Sequence, residues 1–160
     1  MSETVACPPA PPIETACWFP RHPKSAGRAR MLLREFLSTR PGGELYVEAA
    51  ELVLSELVTN ALVHARTSPG RLIMVRFELP PDRLLLIEVH DASPKAPTAR
   101  RATGPEGSEA AESGRGLVLV EALSTDWGSR PRAGGVGKCV WAIVAPEGSG
   151  PDAGHDCATL

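Results

Sequence analysis

Long apolar runs are missing from this sequence, and no stretch reaches the roughly 18 consecutive apolar residues that suggest a membrane-spanning helix. The first residues also lack a basic segment followed by an apolar run, so no secretory signal is expected and the expected compartment is the cytoplasm. An excess of charge is missing too. Lys and Arg number 17 against 19 Asp and Glu, a formal net charge of -2, so no global basic field points to nucleic acid as a direct partner. The four cysteines, Cys7, Cys17, Cys139 and Cys157, form no CxxC pair, which excludes the usual linear metal spacing and argues against a disulfide framework. Ordinary reduced thiols are expected. Aromatic residues are only 4% of the chain.

Punctuators of the backbone are abundant instead, with 15 glycines and 16 prolines, so long irregular segments are expected around and within the core. The 160 residues fit one domain, and an apolar content of 42% suffices for one packed core. Residues 1–16 hold Pro8, Pro9, Pro11 and Pro12 without apolar periodicity and read as a disordered tail, as do residues 146–160. The folded unit is expected over 17–145.

Trp18 and Phe19 suit a short first strand stopped by Pro20. Ala29, Leu32, Leu33, Phe36 and Leu37 mark a helix over 25–39, with Ser25 as N-cap and Pro41-Gly42-Gly43 as breaker. A second helix over 44–65 carries Leu54, Leu57, Val58, Ala61, Leu62 and Ala65 at helical spacing. Beside that stripe, at steps of four, stand Glu56, Asn60 and His64, which about 100° per residue places along one edge of the buried face. Residues 71–79 and 83–91 read as an antiparallel hairpin that ends in Asp91. Residues 92–113 have no apolar period and read as a lid. Ser113-Gly114-Arg115-Gly116 then opens a third helix ending near Gly128, and KCVWAIVA is the last strand.

Each of these side chains has an ordinary reading. Glu56 suits a solvated charge, Asn60 a buried amide, His64 a helix-dipole contact and Asp91 a turn residue, while Gly114 and Gly116 suit a tight turn. Their order along the chain says more. Glycine-rich backbone before a helix leaves N–H groups free for phosphate. An amide oxygen such as that of Asn60 is a hard ligand suited to Mg²⁺. A carboxylate at a strand end accepts a hydrogen bond from an exocyclic amine such as that of adenine.

The stretch ELVLSELVTNALVHA resembles the N box of the GHKL (Bergerat-fold) ATPases, and ESGRGLVLVEALSTDWG resembles their second glycine box. GKCVWAIV is similar to their closing strand, where Gly-Lys-Thr is common. The short form with a leading WFP strand is most similar to the anti-sigma-factor serine kinases and their actinobacterial stand-alone relatives. The resemblance implies an α/β two-layer sandwich, a mixed and mainly antiparallel sheet with helices on one face. It implies ATP and Mg²⁺ as cofactors, with Asn60 as metal ligand and Asp91 receiving the adenine amino group. Gly114, Arg115 and Gly116, with Leu117 beside them, would wrap the phosphates, His64 would approach them, and Cys139 would stand in the place of the usual Thr. Glu56 would be the general base toward a serine hydroxyl. An anti-anti-sigma protein and a sigma factor are the implied partners, and a homodimer is allowed by the same analogy. One departure is plain: Asp91-Ala92-Ser93-Pro94 replaces the family's Asp-x-Gly-x-Gly. It motivates a second expectation, a non-catalytic regulatory protein-binding module with weak or no nucleotide binding.

Overall fold

The computed structural model describes residues 13–64, 70–81, 84–93 and 109–149, with the backbone path alone for residues 64 and 109–115. Among the described residues five strands and three helices follow one another as β1 (Glu14–Pro20), α1 (Lys24–Ser38), α2 (Val47–His64), β2 (Leu72–Glu78), β3 (Leu85–Asp91), α3 (Glu109–Leu123), β4 (Asp126–Pro131) and β5 (Lys138–Val144). A 3₁₀ turn over Gly43–Tyr46 leads into α2. The strands form one sheet in the order β1-β2-β3-β5-β4. Every neighbouring pair is antiparallel, so the sheet is wholly rather than mainly so.

Alternation along the strands gives the sheet two unlike faces. Phe19, Ile73, Val75, Phe77, Ile87, Val89, Val140 and Ala142 point to one side and are buried under the helices. The α2 residues Ala50, Val53, Leu54, Leu57, Val58 and Ala61 are all buried there, spaced three and four apart as one helical stripe requires. Helix α1 adds Ala29, Leu33, Phe36 and Leu37, with the Phe36 and Phe77 rings 5.8 Å apart. The α/β two-layer architecture with helices on one face is therefore as expected. Among the described residues no helix is long and apolar enough to cross a membrane.

Several boundaries differ from the sequence reading. Residues 14–16, assigned to a tail, pair with β2 through Glu14↔Glu78, Thr15↔Phe77 and Ala16↔Arg76. Beyond residue 145 the backbone stays tied down, because the Glu147 amide donates to the Leu45 carbonyl at 2.9 Å. Ser25 is not an N-cap. Helix α1 starts one residue earlier, and the Ser25 hydroxyl donates to the Pro20 carbonyl at 2.6 Å, tying the helix to the end of β1. The third helix ends at Leu123, and the residues after it form edge strand β4, which carries Gly128 and Pro131 and has no buried residue. The expected lid over 92–113 lies mostly outside the described residues, and its last five belong to α3.

Candidate functional site

Register places the chemistry at one end of the sheet. Asp91 closes β3 directly opposite Lys138, the first residue of β5. At that same end the chain leaves β1, and the Arg21 guanidinium donates to the Leu62 carbonyl at 3.0 Å. This fastens the last turns of α2, with Asn60 in them, to the end of the sheet that carries Asp91.

Asp91 is only 1% exposed. Its Oδ1 accepts from the Ser93 amide at 2.7 Å and from Lys138 Nζ at 3.3 Å. The Lys138 ammonium also lies 3.1 Å from Oδ2. That approach is off the direction of a hydrogen bond, and Oδ2 has no hydrogen-bond partner among the described residues. The carboxylate is thus neutralised by a buried cation and still keeps one acceptor position open. The backbone entering β5 presses against the backbone of Asp91. Gly137 has φ +118, and a Cβ there would stand 2.1 Å from the Asp91 carbonyl oxygen, so only glycine fits.

Asn60 sits half-buried on α2, and its Nδ2 is buried without a hydrogen-bond partner among the described residues. An amide turns about its last bond at little cost, so either its oxygen or its nitrogen can face the same space. One turn earlier Glu56 faces α3, where a Cβ on Gly116 would stand 2.3 Å from Glu56 Oε2. Glycine at 116 is therefore what lets the carboxylate lie against the α3 backbone. The amide and carboxylate in consecutive turns of α2 offer oxygen donors of the kind Mg²⁺ takes, and the end of β3 offers an open acceptor.

One expected feature is corrected. Gly114-Arg115-Gly116 does not open a helix, because α3 begins at Glu109 and includes all three. The helix-favouring run Glu109-Ala110-Ala111-Glu112 extends it upstream. The N–H groups at 114–116 then fall within the intrahelical ladder rather than among its four free donors. Cys139 follows Lys138 along β5. It is the cross-strand partner of His90, on the sheet face away from the helices, whereas Lys138 shares its side with Val140 and Ala142 and meets Asp91. Lys138 and Gly137 are the residues the sequence reading missed. The alternation of β5 alone carries the signal, since two neighbouring strand residues cannot face the same way.

Leu117 is buried at 2% exposure. The side chains of His64 and Arg115 lie outside the described residues. An apolar cleft of about 300 Å³ is lined by Ile13, Leu45, Tyr46, Leu79 and Pro146. It opens at the other end of the sheet and has no part in this site. No curated protein matches the chain. The family profile of the histidine kinase-like ATPase domain matches residues 19–144, and the chain belongs to that family.

Proposed function

We propose that this ATPase-type domain is an ATP-dependent serine/threonine protein kinase acting in partner switching, phosphorylating an anti-anti-sigma protein and sequestering a sigma factor. Family membership supplies the coarser half of the reading, ATP binding. The observation that supports the site is the pair of buried polar groups with capacity left over, Asp91 Oδ2 and the Asn60 amide. Asp91 would receive the adenine amino group, and Asn60 would hold Mg²⁺ through its amide oxygen. Bound Mg·ATP supplies a transferable phosphoryl group and screens its charge. Glu56, held against Gly116, would take the proton from the attacking hydroxyl. Arg115 and His64 would lend positive charge to the phosphates.

Calorimetry with ATP, with and without Mg²⁺, tests the site. Magnesium-dependent binding that Asn60→Ala removes is the expected result, and no binding at millimolar ATP overturns it. Transfer to a serine-bearing partner tests the activity. Glu56→Gln should retain ATP and lose transfer, and transfer at the unaltered rate would remove Glu56 from the base role.

A second reading has its own support. Gly114 to Gly116 are wound into α3, and Lys138 already engages Asp91. Both features suit a regulatory module that binds a protein partner with weak or no nucleotide binding. Stable capture of a sigma factor with no phosphate transfer, whether or not ATP is present, would favour it.

A further inference from the structure

The sheet face without helices carries a second group of donors. Glu88 and His90 project from β3 two residues apart, and Cys139 is the cross-strand neighbour of His90 on β5. Their ligating atoms, a carboxylate oxygen, an imidazole nitrogen and a thiol sulfur, all lie within 4.8 Å of one another. Glu88 and Cys139 are 3% and 1% exposed, so paired strands rather than a mobile loop hold the set. His90 Nε2 stands 3.5 Å from Glu88 Oε2. That is long for a hydrogen bond between them. Two donors at about 2.1 Å from a tetrahedral ion would lie about 3.4 Å apart, close to the separation seen.

We propose that Glu88, His90 and Cys139 form a binding site for a thiophilic divalent cation, with zinc as the representative ion. Sulfur and imidazole donors select such an ion and disfavour Mg²⁺ and Ca²⁺, so this chemistry is separate from that expected at Asn60. Three protein donors leave a fourth tetrahedral position to water. Linear spacing gives no hint of the set, because β3–β5 pairing assembles it.

The site has competitors. Glu88 is bonded by Arg76 on one oxygen and by Arg130 on the other, and Arg132 acts on His90. Oε2 is the Glu88 oxygen that faces His90, so binding releases Arg76 Nη1 from it and leaves Arg130 on Oε1. Arg76 keeps its ion pairs with Glu14 and Glu78. The Cys139 S–H bond breaks as the metal–sulfur bond forms, and its proton goes to the buffer. Thiolate and carboxylate are then the two anionic donors to the ion.

The test is titration of the full chain with Zn²⁺ by calorimetry and with Co²⁺ by absorption. Expected are one ion per chain, the intense visible bands of tetrahedral cobalt and a sulfur-to-cobalt charge-transfer band. Cys139→Ser should lose the charge-transfer band and Cys17→Ser should keep it, each with an unchanged far-ultraviolet circular dichroism spectrum. His90→Gln should weaken zinc binding by at least about tenfold. A charge-transfer band that survives in Cys139→Ser, zinc affinity unchanged in His90→Gln, or no zinc binding at tens of micromolar would overturn the site. The three side chains would then be only the polar surroundings of the Arg76–Glu88–Arg130 ion pairs. ATP binding is measured independently, so neither result bears on the nucleotide reading.

Discussion

Asp91 and Lys138 share a buried rung between β3 and β5, and their energetics follow from that burial. Removing the carboxylate charge with Asp91→Asn leaves the ammonium enclosed without a counter-charge, a change that costs about 3–5 kcal/mol in such pairs. Adding Lys138→Met to Asp91→Asn should recover most of the loss, and urea unfolding of the three proteins checks it. At the next residue the constraint is steric. Gly137→Ala faces both φ +118 and a backbone oxygen 2.1 Å from the new Cβ. No side-chain movement relieves a clash with backbone, so Gly137→Ala should destabilise by at least about 2 kcal/mol and displace Asp91. Gly116→Ala is the contrast. Its new Cβ meets only the end of the Glu56 side chain, which can turn away, so stability should hold to within about 1 kcal/mol by the same unfolding measurement. At this scale the sequence displayed Asp91, Asn60 and Glu56, because each ends or edges a periodic segment. It hid Lys138 behind Cys139, since the choice between neighbouring strand residues needs the pairing partner.

Among the elements, α2 is the one whose sequence pattern speaks most directly. Its buried stripe runs from Ala50 to Ala61 without interruption and carries the packing of α1, α3 and the sheet. Leu54 lies fully buried at its centre, and Leu54→Ala should cost about 2–5 kcal/mol by denaturant unfolding. The hairpin β2–β3 was equally legible, from two alternating runs and a proline turn. Strand β4 was not. All its residues are at least partly exposed, and Gly128 is required because a Cβ there would stand 2.9 Å from the Trp141 ring. Such a segment has no apolar alternation to read and is a strand only because β5 offers it an edge. Helix α3 was misplaced for a related reason. Glycines in its middle look like a start signal, and the packing against Glu56 that makes one of them useful comes from another element.

Taken as a whole, the molecule pairs an apolar helix-covered face with a mixed one, where Arg76, Glu88, His90 and Arg130 lie among apolar side chains and contribute to the pH response. Burial holds His90 below the ordinary imidazole value, against the opposing pull of Glu88. Burial also raises Glu88, but hydrogen bonds from Arg130 and Arg76 more than offset it and hold that carboxyl below its ordinary value. A histidine with a depressed value binds fewer protons folded than unfolded, so its contribution is full above about 6.5 and is lost as pH falls from there through its lower folded value. Glu88 contributes above the unfolded carboxyl value and is lost at lower pH still, as pH drops through its folded value. The metal-free protein, kept in a chelator, should therefore lose melting temperature in two stages on acidification. His90→Gln should flatten the first stage and leave the second. The same division of the sheet decides how the protein can be watched. Trp18 and Trp141 lie on the face away from the helices, and Trp127 faces them from the edge strand, opposite Ala142. Four residues of strand, about 13 Å, separate Ala142 from Lys138. No indole borders Asp91, so intrinsic fluorescence is insensitive to direct contact with a bound base, and any change in emission on ligand addition reports a shift of the sheet itself.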